Sequence, residues 1–239
     1  MRTVLVTGAN KGIGFATAKY FWERGDRVLL TGRSEERLRA AAERLGERVD
    51  YAVWDVTDIQ AAPAVLRALH ARNGAIDVIV NNAGIVSDED ISGSDFLTKT
   101  EEAWDRTMDT NLKGLFFALQ AEARYMIEHE IRGHIVNVCS EMSFRPAYNA
   151  DTASKWGALG LTKGLAKKLA PHGILLNGVA PGETATEILR QKEGERHAIP
   201  SPRGERAMPA EIAEAIYFLA GSQNIIGAVL LSDGGRSLN

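Results

Sequence analysis

The chain has 239 residues, a formal net charge of −3 and no basic run suited to a phosphate backbone, which argues against nucleic acid as a partner. With 45% hydrophobic and 25% charged residues it has the composition of an ordinary globular protein, long enough for one large core, and no apolar run reaches membrane-spanning length. The single cysteine, Cys139, rules out an intrachain disulfide and a cysteine-based zinc centre, so a reducing, cytoplasmic setting is expected.

In chain order, "MRTVLVTGANKG" runs straight into a strand and a glycine turn, so no signal peptide is expected. Short β-branched or leucine-rich runs follow at 3–7, 27–31, 49–53, 76–81, 134–139, 174–179 and 228–232. Between them lie helical patterns at 12–25, 34–46, 58–72, 101–131, 151–170 and 209–221, with start signals at Ser34, before Glu35 and Glu36, and at Pro209. This alternation predicts an α/β fold: a single-domain, Rossmann-type, doubly wound sheet of about seven parallel strands flanked by helices. No linker, repeat or low-complexity tract divides residues 1–239.

After the first strand, "TGANKGIG" places Gly8, Asn10, Lys11, Gly12, Ile13 and Gly14 at the turn that opens the first helix. There the backbone can approach a pyrophosphate, and free N–H groups at the helix start face its charge. The spacing differs from the usual G-x-G-x-x-G, and its position after the first strand of an alternating chain carries the reading. At the end of the second strand, where a carboxylate would bind the ribose hydroxyl of NAD, the sequence offers Gly32 and Arg33, with Lys11 as a second cation. NADP(H) is therefore the expected cofactor.

With "TGANKGIG", "WDVTD", "NNAG", "DTNLKG", "NVCS", "ASK" and "NGVAPG" in this order, the chain resembles the short-chain dehydrogenase/reductase family over nearly its whole length. The resemblance implies that Asp55 and Val56 contact adenine and that Asn82, Ala83 and Gly84 lie beside the cofactor ribose. It also implies that Pro181, Gly182, Thr184 and Thr186 hold the nicotinamide end. Asn111 would bend a helix and support a water chain, Ser140 would polarise the substrate, and Lys155 would bind the ribose. The family motif is Tyr-x-x-x-Lys, but four residues before Lys155 stands Asp151, on the same helix face.

That departure bears on the chemistry. Reduction of a ketone makes an alkoxide that takes up a proton, and a phenol of pKa about 10 can supply it once a lysine lowers that value. An unperturbed aspartate has a pKa of about 3.9, so keeping it protonated at pH 7 costs roughly 4 kcal/mol. A helix N-terminus and Lys155 both favour the carboxylate, and Asp151 is expected to be ionised. An ionised carboxylate suits an iminium ion, which carries its own proton, so an NADPH-dependent imine reductase acting on a small cationic substrate is the favoured function. Glu141, Glu183 and the Asp88–Glu89–Asp90 run are further acids expected to line the substrate cleft. Against this, Asp151 can be a plain N-cap and the other acids solvated loop charges. Two alternatives stand beside it: a carbonyl reductase with Tyr148 as the proton donor, and an NADP-binding scaffold without turnover.

Cys139 is read as a small core residue, and the histidines lack ligand spacing, so no metal is expected. The polar stretch 187–208 is a candidate substrate lid. Through the family resemblance a homodimer or homotetramer is expected, built on the helices at 101–131 and 151–170.

Overall fold

In a computed structural model the described residues are 1–93, 95–189, 195 and 197–238. They contain one seven-stranded parallel sheet in the order β3-β2-β1-β4-β5-β6-β7. The strands are β1 (Thr3–Thr7), β2 (Arg27–Gly32), β3 (Val49–Val53), β4 (Val78–Asn81), β5 (His134–Val138), β6 (Leu175–Pro181) and β7 (Val229–Ser232). The helices between them are α1 (Gly12–Glu23), α2 (Glu35–Leu45), α3 (Ala62–Asn73), α4 (Asp88–Ile91), α5 (Glu101–Met108), α6 (Gly114–Glu128), α7 (Ala150–Leu169) and α8 (Pro209–Leu219). The predicted α/β fold is the one observed.

Side chains alternate across each strand, and so β1 feeds two cores. Val4 and Val6 pack with Phe15, Phe21, Leu38 and Ile216 under α1, α2 and α8, while Leu5 packs with Leu66, Leu119 and Met126 under α3 and α6. β1 is buried on both faces, as a central parallel strand must be. Ser34 caps α2 by accepting from the Arg37 N–H at 3.4 Å, as its position before two glutamates predicted. Cys139 is 3% exposed, and burial pushes its thiol pKa up, consistent with a core role.

Two helical expectations change. The run read as one helix over 101–131 is α5 and α6 joined through a π-helical turn at Asp109–Lys113. The N-cap of α7 is Asn149, whose Oδ1 accepts from the Thr152 N–H at 2.9 Å, so Asp151 sits inside the first turn and is not the cap. Among the described residues no helix is long and apolar enough to cross a membrane.

Candidate active site

The strand order reverses between β1 and β4, and a cleft of about 690 Å³ opens there, at the carboxyl ends of β1 to β4. Its floor is the glycine turn. Gly8 has φ +64°, and a Cβ there would lie 3.1 Å from Ala83 Cα; a Cβ on Gly14 would lie 2.3 Å from the Gly8 carbonyl oxygen. The turn is therefore pressed against the end of β4 so closely that only glycine fits. Asn82 donates its amide to the carbonyls of Thr7 and Gly8, at 2.8 and 3.2 Å, while Thr7 Oγ1 accepts from the N–H of Asn82 and of Ala83, both at 3.0 Å.

The cleft wall includes Gly8, Asn10, Lys11, Gly12, Ile13, Gly14, Arg33, Asp55, Val56, Asn82, Ala83, Gly84 and Thr186. Lys155, Pro181, Gly182 and Thr184 are not part of this wall. Lys155 is close to it, with Nζ 3.6 Å from where a Cβ on Gly84 would stand. The wall also holds Ser34, Arg37 and Glu187, which sequence reasoning missed. The signal for Arg37 was its place four residues after Arg33, one turn into α2. Lys11 is not a free phosphate ligand: its Nζ pairs with Glu187 Oε2 at 2.9 Å across the mouth of the cleft, and this hydrogen bond lowers the Glu187 pKa. A glycine cradle at a helix N-terminus and two cations at the end of β2 fit a dinucleotide.

At the other end of the cleft, the π turn carries Asn111 into the protein. Its Oδ1 accepts from the Ile85 N–H at 2.8 Å, and its Nδ2 donates to the Ile85 carbonyl at 2.8 Å. The same Nδ2 reaches Asp151 Oδ1 and Ser154 Oγ, each at 3.3 Å. Such a bulge re-aims a side chain that a regular helix would place elsewhere. Asn111 and Lys155 therefore meet beside Gly84, with Asp151 held against Asn111. Ser140 Oγ accepts from the Met142 N–H at 3.1 Å, which leaves its own hydrogen to donate. Tyr148 is not brought in: its ring is 65% exposed and packs edge-on against Phe96, with centroids 6.3 Å apart.

The expectation that Asp151 is ionised meets the opposite influence. Burial is the largest effect on this carboxyl and pushes its pKa above the usual carboxylate range; Lys155 pulls it down and Asp90 pushes it up. The pull of Lys155 is smaller than the effect of burial.

Two of the acids expected to face a cationic substrate are already paired. Glu141 is 4% exposed and binds Arg236 at 2.8 Å and Arg145 at 3.6 Å; burial pushes its pKa up. Glu183 binds Arg236 at 2.5 Å and Arg206 at 3.0 Å. Asp90 differs: Lys99 Nζ lies 2.8 Å from its Oδ1, and its buried Oδ2 has no hydrogen-bond partner among the described residues. Residues 190–194 and 196 of the expected lid lie outside the described residues.

Fold and cleft together are those of a dinucleotide-binding α/β protein. A family model described as short chain dehydrogenase matches residues 2–197, and the chain belongs to that family. It is similar to gluconate 5-dehydrogenase of Gluconobacter oxydans, at 38% identity covering 98% of this chain and 94% of that one. It is equally similar, at 38% identity, to the 3-oxoacyl-[acyl-carrier-protein] reductase FabG of Thermotoga maritima, covering 98% and 97% of the two chains. Among solved structures, a 3-ketoacyl-(acyl-carrier-protein) reductase from Brucella melitensis complexed with NADH superposes with a TM-score of 0.90 at 27% identity, covering 99% of this chain and 98% of that one. A variant of actinorhodin polyketide ketoreductase with NADPH gives 0.86 at 28%, covering 100% and 98%.

Proposed function

We propose that the protein is a nicotinamide-dependent oxidoreductase that interconverts a carbonyl and an alcohol, with Asp151 handling the proton. The observation that carries this reading is the position of Asp151, partly buried, tied to Asn111 and one turn before Lys155. The relatives are named for carbonyl and alcohol chemistry, and the raised pKa of Asp151 lessens the cost of keeping a carboxyl protonated. A bound nicotinamide supplies or accepts the hydride. Ser140 donates its hydroxyl hydrogen to the substrate oxygen, Asp151 gives that oxygen a proton, and Lys155, beside Gly84, holds the ribose. Arg33 and Arg37 line the cleft after β2 and would hold a second phosphate on the adenosine ribose, and no carboxylate ends β2, which supports NADPH over NADH.

Asp90 favours a second reading, reduction of an iminium ion, because its Oδ2, unpartnered among the described residues, leaves one acid to draw in a cation. In that reaction Asp151 would act as a carboxylate. Self-association into a dimer or tetramer is supported by exposed aromatics on the long helices, Trp104 at 46%, Phe116 at 40% and Trp156 at 50%.

The test is nucleotide oxidation with a matched panel of ketones and cyclic imines, each run with NADPH and NADH. Turnover of ketones, faster with NADPH, is expected. Turnover confined to imines would replace the carbonyl reading with the iminium one.

A further inference from the structure

Three segments come together at the mouth of the dinucleotide cleft: the glycine turn, the end of β2 and the stretch that begins at Thr186. Asn10 Oδ1 lies 3.4 Å from where a Cβ on Gly32 would stand, and Thr186 Cγ2 lies 3.4 Å from where a Cβ on Gly12 would stand. The turn that carries Lys11 is thus wedged between the residue before Arg33 and the residue before Glu187. The wall of the cleft holds three cations, Lys11, Arg33 and Arg37, and two carboxylates, Asp55 and Glu187. Asp55 is taken up by its own loop, its Oδ1 accepting from the Thr57 N–H at 3.0 Å and from Thr57 Oγ1 at 2.8 Å. Glu187 instead crosses to the turn, where its Oε2 accepts from Lys11 Nζ at 2.9 Å, and Arg37 is a second cation acting on it. The two paired side chains are 45% and 53% exposed, so solvent reaches the pair and it opens at small cost.

We infer that Glu187 is a specificity-determining residue, an internal anion that holds Lys11 and competes for it with the extra phosphate on the adenosine ribose of NADP(H). The inference rests on the proposed preference for NADPH. A carboxylate and a phosphate both offer anionic oxygen acceptors, and a lysine ammonium binds either one as a point charge. Placed together against one lysine, the two anions repel each other. Part of the attraction between the phosphate and the three cations is therefore spent on releasing Glu187, and the affinity for NADP(H) is held below what those cations would give alone. NAD(H) lacks this phosphate and does not compete for Lys11. A lowered affinity of this kind shows mainly as faster dissociation, and departure of the spent nucleotide is a step that commonly limits turnover. Glu187 thus trades tight binding of NADP(H) for its release.

Equilibrium fluorescence titration of the full-length protein with NADPH and with NADH tests this without a substrate. Glu187→Gln, close in size and uncharged, should tighten NADPH binding by about fivefold and leave NADH binding within about twofold of wild type. The gain should shrink at about 1 M salt, where charges are screened within about 3 Å. In a double-mutant cycle, Lys11→Met should weaken NADPH binding by itself, and Glu187→Gln added to it should give a smaller gain than in wild type. Unchanged or weaker NADPH binding in Glu187→Gln would overturn the inference, and so would a gain undiminished by Lys11→Met. An equal gain for both nucleotides would also overturn it, by setting Glu187 against the phosphates that the two share. The cofactor preference is judged separately, by wild type alone: tighter binding of NADH than of NADPH would overturn that preference whatever the variants do.

Discussion

The two ends of the cleft are built by different means. The cofactor end is made of backbone: a glycine turn with Gly8 and Gly12 at positive φ, pressed against the end of β4. The substrate end is made of side chains brought from distant parts of the chain, with Asn111 from a π turn, Asp151 from α7 and the Asp90–Lys99 pair from a loop. A backbone cradle tolerates side-chain change but not an added Cβ, while a side-chain constellation can lose its chemistry through the exchange of one atom.

The sharpest test of the first half is Gly14→Ala. Its Cβ would stand 2.3 Å from the Gly8 oxygen and 2.5 Å from Asn82 Nδ2, and the backbone must move to accept it. A loss of about 3 kcal/mol in chemical denaturation is expected, together with NADPH affinity reduced at least tenfold in a fluorescence titration. Unchanged affinity would break the contrast.

A second test probes what lies beneath both halves. Glu122 on α6 is fully buried; Asn81 donates to it at 2.9 Å and also to Asn137, which in turn donates to Thr162 on α7. Burial raises the Glu122 pKa from 4.5 to about 7. The folded state therefore binds more protons than the unfolded state between these values, so stability falls as pH rises from about 4.5 to about 7 and then levels off. The full effect is roughly 3 kcal/mol. Glu122→Gln keeps a group able to accept from Asn81 and removes the charge. Its thermal midpoint should match wild type near pH 4.5 and exceed it by several degrees at pH 8; a parallel pH dependence in both proteins would rule out this role for Glu122.

The two halves also differ in how far the sequence reveals them. Buried parallel strands announce themselves as apolar runs, and the glycine turn is a local pattern, so the sheet and most of the cofactor wall were legible. Hydrophobic periodicity does not register one extra residue per turn, and the π segment at Asp109–Lys113 was hidden inside a long helical pattern. The acids at 141 and 183 were visible, but their partner Arg236 comes 95 residues after Glu141. Lys11 looked like a phosphate ligand because Glu187, its partner, lies 176 positions away. Asp151 read equally well as an N-cap because Asn149, two residues earlier, has the same capping chemistry and takes that place. Ion pairs of high sequence separation, such as those of Arg236 with Glu141 and Glu183, leave no local trace.

The most direct test of the account is pre-steady-state hydride transfer from bound NADPH to a ketone substrate, compared between wild type and Asp151→Asn. The asparagine is close in size to aspartate and can keep the contact with Asn111, yet it carries no transferable acid proton. A fall of about a hundredfold or more with NADPH binding intact is the predicted result. Hydride transfer to the ketone at an undiminished rate would contradict it and move the proton chemistry away from Asp151.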